Sequence, residues 1–271
     1  MIEAASGARG GSQPAASDQY VQSLARGLAV IRAFDTDHPK MTLTEVAART
    51  DLTRATARRF LYTLVELGYV RTDGKIFALT AKVLQLGYAY LSGLALPQLA
   101  QPHLEDLSLQ LGESTSAAVL EGTDIAYIAR VATRRIMTVG ITVGTRFPAY
   151  ATSMGRVLLA GLPAAELKDY LAAAEIRPLT PKAIGTREDL MAELAAVRAQ
   201  GWCLLDQELE LGLMSIAAPV HDGPKVVAAI NVSLQAQSVA GRDDPDAYLE
   251  AVRNAAVATA GLISADLSGR R

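Results

Sequence analysis

The sequence predicts an α+β chain: a small helical domain ending in a hairpin, an apolar connecting helix, and a larger domain of helices on an antiparallel sheet. Three observations carry this. Residues 42–77, TLTEVAARTDLTRATARRFLYTLVELGYVRTDGKIF, hold two short helical patterns, a tight break between them and an Asp-Gly hairpin signal. Residues 80–96 are apolar around much of a helical circumference. From residue 98 onward, strand-like runs separated by Gly-containing turns are mixed with helical patterns.

The first residues, MIEAASGARGGSQPAAS, are small, polar and Gly-rich, which predicts a disordered tail over 1–17 without the apolar run of a signal peptide. Residues 20–34 predict a helix with Leu24, Leu28 and Ile31 as its buried stripe, ended by Asp37-His38-Pro39. Thr42 opens the next helix through a capping box: it accepts from the Glu45 N–H, and Glu45 reaches back to the Thr42 N–H. Thr50-Asp51-Leu52 breaks the pattern and Thr53 caps a second helix. There Ala57, Phe60, Leu61 and Leu64 form one apolar stripe. Arg54, Arg58 and Tyr62 repeat every fourth residue on the other face, with Thr56 in the first turn and Arg59 beside them. Gly68 suits a left-handed helix stop, and Tyr69–Thr72 and Lys75–Phe77 flank Asp73-Gly74. The outline over 18–80 is a winged helix-turn-helix.

Thr80 caps the connecting helix, assigned to 81–97, whose apolar circumference (Val83, Leu84, Gly87, Tyr90, Leu91, Leu94) predicts either packing on its own domains or pairing with a second copy. Over 98–271 the sequence predicts a helix from Pro102 to Leu111 and strands at 114–120, 125–131 and 137–143. Helices follow at 153–160, 164–174 and from Thr186, which caps, to Gln200. Strands at 202–205, 215–220 and 226–234 precede a last helix from Pro245 to about Ser264. Hairpin-connected strands among helices give an antiparallel sheet.

Charge is unevenly distributed. The net charge is −2, yet residues 53–75 carry five cations (Arg54, Arg58, Arg59, Arg71, Lys75) against Glu66 and Asp73. A recognition helix buries one face on its own domain and offers the other to the major groove. Arginine suits that outer face because its planar fork holds guanine or phosphate bidentately. Thr42, Thr53, Arg54, Thr56, Arg58, Arg59, Tyr62, Arg71 and Lys75 are the candidate contacts to double-stranded DNA. The single cysteine, Cys203, permits no intrachain disulfide, and with His38, His103 and His221 it forms no metal set at plausible spacing. A reducing cytoplasm is the expected location, and no stretch is long and apolar enough to span a bilayer.

From about Tyr20 to its end the chain resembles the IclR family of bacterial transcription regulators. SLARGLAVIRAF at 23–34, the winged segment, GWCLLDQELELGLMSIAAPV at 201–220 and INVSL at 230–234 carry the resemblance. RRIMTVGITVGTRFPAYATSMGRVLLA at 134–160 is similar to the branch that regulates aromatic-acid catabolism through the β-ketoadipate route. The resemblance implies a C-terminal effector domain with a GAF/profilin-like sheet, dimers that pair into tetramers, and no cofactor. It implies effectors such as β-ketoadipate, protocatechuate or 4-hydroxybenzoate. By motif, the pocket would include Leu205, Leu213, Ser215, Asn231 and Ser233, with Ser153 and Met154 from the loop. Leu205, Ser215 and Asn231 stand where the glyoxylate-responsive type has an acid, a cysteine and a serine, which argues against glyoxylate and pyruvate.

A carboxylate effector needs donors. Arg146 and Arg156, flanking the small-residue loop, are the candidate bidentate partners, with Ser153, Ser215, Asn231 and Ser233 as neutral ones. An enzyme reading, with Ser153 as a nucleophile on a turn before a helix, requires Gly two residues earlier, where Ala151 stands, and a histidine partner for which the sequence gives no signal.

Overall fold

The structure, a computed structural model, describes residues 20–35, 37–86, 95–133 and 141–269. The predicted tail, linker positions Gly87, Tyr90, Leu91 and Leu94, the pair Arg134–Arg135 and most of the strand expected over 137–143 lie outside them. The chain forms two compact units, Met1–Tyr90 and Leu91–Arg271.

The first unit contains α1 (Gln22–Arg32), β1 (Met41–Thr42), α2 (Leu43–Arg49), α3 (Arg54–Glu66), β2 (Val70–Thr72) and β3 (Ile76–Leu79). The capping box is present: the Thr42 N–H donates to Glu45 Oε2 at 2.7 Å and the Glu45 N–H to Thr42 Oγ1 at 3.4 Å. Thr53 accepts from the Thr56 N–H at 3.2 Å. The wing turns at Gly74, φ +96°, where Asp73 Oδ1 accepts from the Lys75 and Ile76 N–H groups. β1 adds a third strand that the sequence reading did not include, with Met41 opposite Phe77.

The stripe expected on α1 holds at Ile31, which packs half-buried against the core, and is corrected at Leu24 and Leu28. Leu24 and Leu28 are 63% and 48% exposed, and Val30, Ala33 and Phe34 are buried instead. The C-terminal end of the helix is what docks, held by Arg49, whose Nε donates to Ala33 O and whose Nη2 meets Asp35. Periodicity fixes a face but not which end of it finds a partner.

The second unit contains α4 (Ala95–Leu111), β4 (Ser114–Glu121), β5 (Asp124–Val131), β6 (Arg146–Pro148), α5 (Ser153–Ala160), α6 (Ala164–Ala173), α7 (Arg187–Gln200), β7 (Cys203–Asp206), β8 (Leu213–Asp222), β9 (Lys225–Gln235), α8 (Ala236–Ala240) and α9 (Pro245–Ser268). The predicted break between Pro97 and Pro102 is corrected: α4 runs through both prolines. Pro102 lacks one backbone donor, a cost that tertiary packing offsets here, since Leu104 and Leu107 are buried one turn further on.

The six strands are antiparallel, ordered β6-β5-β4-β9-β8-β7. Leu104 of α4 and Val252, Ala256 and Ile263 of α9 pack on one face with Ile216, Ile230 and Val232. Helices α5, α6 and α7 cover the other through Met154, Leu158, Tyr170 and Leu194. Along β9, Ile230, Val232 and Leu234 face α4 and α9, which leaves Asn231 and Ser233 for the α5 side.

Candidate functional site

Two surfaces collect the polar residues that the core does not need. On the first unit, Ala57, Leu61 and Leu64 bury one side of α3 while Arg54, Arg58 and Arg59 stand exposed on the other. None of these three arginines makes an ion pair among the described residues. Arg58 lies over the Tyr62 ring, 5.4 Å from its centroid, and Tyr62 meets Phe77 edge to face at 6.0 Å. Arg58 of α3 is thereby tied to β3 of the hairpin through one aromatic contact. Arg71 and Lys75 on the wing are exposed. Thr53 and Thr56 share a hydroxyl contact at 2.9 Å at the helix start. Thr42 differs from the rest: its hydroxyl donates to Glu45 at 2.8 Å and accepts from the Glu45 backbone, so it serves the cap.

On the second unit a narrow cavity of about 20 Å³ lies between the sheet and the start of α5. Ser153, Leu205, Leu213, Ser215, Asn231 and Ser233 all line it, together with Tyr127, Ile141 and Glu208. The register brings them together. Ser114, Ser233, Ser215 and Leu205 form one row across four strands, and Ser116, Asn231, Ala217 and Cys203 form the next. The Ser215 hydroxyl donates to Ser153 Oγ at 2.8 Å, tying β8 to the first turn of α5. Thr152 caps that turn by accepting from the Gly155 N–H at 3.0 Å. Gly155 is required there: a Cβ would lie 2.0 Å from Ala149 O.

Three expected residues stand off the cavity wall. Met154 is fully buried in the core beneath it. Arg146 sits on β6 at the sheet edge, with Nη1 2.7 Å from Glu121 and Nε 3.4 Å from Asp124. The edge strand was unread because it is three residues long. Arg156 is 1% exposed, and its fork grips Glu208: Nη1 donates at 3.0 Å and Nη2 at 2.6 Å, while Nε donates to Tyr150 O. Glu193 lies 3.7 Å away. Arg156 therefore reaches the cavity only through Glu208, a lining residue that the sequence reading missed. Glu208 also accepts from the Ile184 N–H at 3.1 Å.

Burial pushes the Tyr127 phenol up to about 12, partly opposed by Arg130, and pushes the Cys203 thiol up to about 12 as well. Both are neutral at physiological pH. None of the three histidines lines the cavity, and Ser153 has only the Ser215 hydroxyl as a side-chain partner among the described residues. No helix is long and apolar enough to cross a membrane among the described residues.

The sequence profile described as the IclR helix-turn-helix domain matches residues 23–74, and the one described as the bacterial transcriptional regulator IclR C-terminal domain matches residues 88–260. The chain belongs to the IclR family. A "Pca regulon regulatory protein" from Pseudomonas putida is 49% identical over 216 residues, which cover 79% of this chain and 74% of that protein. The "p-hydroxybenzoate hydroxylase transcriptional activator" of Acinetobacter baylyi is 36% identical over 251 residues, covering 90% and 93%. A solved structure from Rhodococcus sp. RHA1, described as a transcriptional regulator, is 55% identical, with a TM-score of 0.82 over 93% of this chain and 100% of that one. The IclR-family chain is thus a transcription regulator rather than an enzyme, similar to regulators of aromatic catabolism.

Proposed function

We propose that this regulator binds operator DNA through α3 and the wing and senses a small aromatic or dicarboxylic acid in the cavity beside α5, so controlling aromatic-acid catabolism genes. The observation that carries the sensing half is the cavity itself. Apolar walls of Ile141, Leu205 and Leu213 converge on a polar floor of Ser153, Ser215, Asn231 and Ser233, with the Asn231 side-chain oxygen Oδ1 buried and lacking a partner among the described residues. Similarity to a Pca regulon regulatory protein and to a p-hydroxybenzoate hydroxylase transcriptional activator supports an aromatic acid such as 4-hydroxybenzoate, and the family resemblance adds protocatechuate and β-ketoadipate. The DNA half rests on the exposed arginine face of α3, which makes no ion pair among the described residues, with Arg58 braced by Tyr62.

A two-fold operator calls for a two-fold protein, and we place the dimer seam on the linker from Thr80 to Leu96, with dimers pairing into tetramers in the cytoplasm. The test is footprinting of the upstream intergenic region with and without each of the three acids, run beside glyoxylate and pyruvate. Protection of a near-palindromic site that one of the three acids alters supports the reading. Protection altered by glyoxylate alone defeats the effector class, and no protection of any site defeats the DNA half. Light scattering that returns a monomer at micromolar concentration removes the seam.

A further inference from the structure

β5 does not alternate cleanly. Opposite it, Ala118 pairs with Tyr127 and Ala117 with Ala129, so Ile128 is an extra residue, a bulge. Ile128 and Ala129 both pack in the core on the α4 and α9 side. The consequence is that Tyr127 and Arg130, three residues apart, lie on the same face of the sheet, which strict alternation forbids; Tyr127 lines the cavity, while Arg130 lies just beyond its wall. Arg130 stands opposite Ser116, and Ser116 stands opposite Asn231. The second polar row thus ends in a guanidinium.

That guanidinium is incompletely satisfied. Nη1 donates to Ser116 Oγ at 3.2 Å, while Nε is buried and has no partner among the described residues. No carboxylate among the described residues is paired with Arg130, whereas Arg146 is held by Glu121 and Asp124 and Arg156 by Glu208. Two strands away the Asn231 side chain is in the same condition. Its Nδ2 makes one long bond to Ser233 Oγ at 3.4 Å, and its buried Oδ1 has no partner among the described residues. An asparagine amide can turn over, offering either an acceptor to a ligand hydroxyl or a donor to a ligand carboxylate. A partly buried cation without a counter-ion is costly, and an anion brought beside it offsets that cost.

We propose that Arg130, at the end of the Asn231–Ser116 row beyond the cavity wall, takes the effector carboxylate with Asn231 of the cavity lining as its neutral companion, in place of Arg146 and Arg156. This rests on the small-acid reading above. Burial also lowers the affinity of Arg130 for its proton, with Tyr127 acting the other way, in keeping with a charge drawn out of water.

Calorimetric titration of the full chain tests this, using 4-hydroxybenzoate, protocatechuate and β-ketoadipate, each beside its amide. Wild type is expected to prefer the acid to the amide at least tenfold. Arg130→Gln should weaken the acid at least tenfold, leave the amide within about twofold and so close the gap, while Arg146→Ala changes neither. Arg130→Lys keeps the charge but loses the fork, and should cost the acid severalfold with the amide unchanged. It decides the matter if Arg130→Gln fails to fold. Acid affinity within threefold of wild type in either Arg130 variant overturns the proposal, as does an equal loss for acid and amide. If none of the three acids binds wild type, the small-acid reading fails first and this proposal with it. If an acid binds and Arg130 does not matter, only this proposal fails.

Discussion

The Arg156–Glu208 pair gives the sharpest stability prediction. Arg156→Met removes two charge-assisted bonds to Glu208 and one to Tyr150 O, and leaves Glu208 with only the Ile184 N–H among the contacts described. The arginine and glutamate side chains are 2% and 12% exposed, so solvent cannot replace what is lost. Removing one member of such a buried pair costs ~3–5 kcal/mol, largely because the other charge is stranded. The Met side chain keeps most of the apolar stem contact, which places the estimate toward the lower end. At ~2 kcal/mol per molar urea, the midpoint should fall by about 1.5–2.5 M. The single tryptophan, Trp202, lies in the second unit beneath Arg253, 5.5 Å from its ring centroid, so its fluorescence reports that unit alone. Pairing Arg156→Met with Glu208→Leu should recover most of the loss, because the stranded charge goes too. A single variant that unfolds at the wild-type urea concentration, or a double variant no better than the single, would refute the reasoning.

Three further outcomes follow from the same geometry. Arg58→Ala should weaken operator binding by ~1–3 kcal/mol if the fork reads a base edge, and a gel shift against scrambled DNA checks this; unchanged affinity in a folded variant removes Arg58 from the interface. Gly155→Ala drives a methyl into Ala149 O and should cost ~1–3 kcal/mol or more by urea denaturation, with loss of acid binding as the α5 start shifts. Backbone donors at Ile76 and Lys75 hold the Asp73 carboxyl below its ordinary 3.8, so its contribution to the wing is present above that value and lost as pH falls through the lowered one; Asp73→Asn should flatten that acid limb in amide-proton spectra of the wing.

The winged unit was legible because its signals are local. A cap, a glycine stop and an Asp-Gly turn are each read within four residues, and Thr42, Thr53, Gly68 and Asp73 act in the structure through neighbours that close. What failed there was non-local: Leu24 and Leu28 look like a stripe, yet docking happens through Phe34 and Arg49. In the second unit the polar floor was found through motif likeness, since Ser215, Asn231 and Ser233 are ordinary strand residues until the register lines them up.

The charged parts of the cavity were the hardest to read, for one physical reason. Arg146 and Arg156 sit beside the loop in sequence, so proximity favoured them, but a guanidinium takes the nearest carboxylate in space. For Arg146 that is Glu121 across a hairpin, and for Arg156 it is Glu208 far along the chain. Arg130 carries no such sequence cue. Counting alternate residues onward from Tyr127 assigns it to the opposite face of the sheet, and only the extra residue at Ile128 returns it to the side of Asn231. A bulge leaves no fixed residue signature in this strand, because Ile128 and Ala129 simply continue the apolar run that begins at Ile125. The position of Arg130 is thus decided by the pairing of β4 with β5, a property of two strands together that neither shows alone.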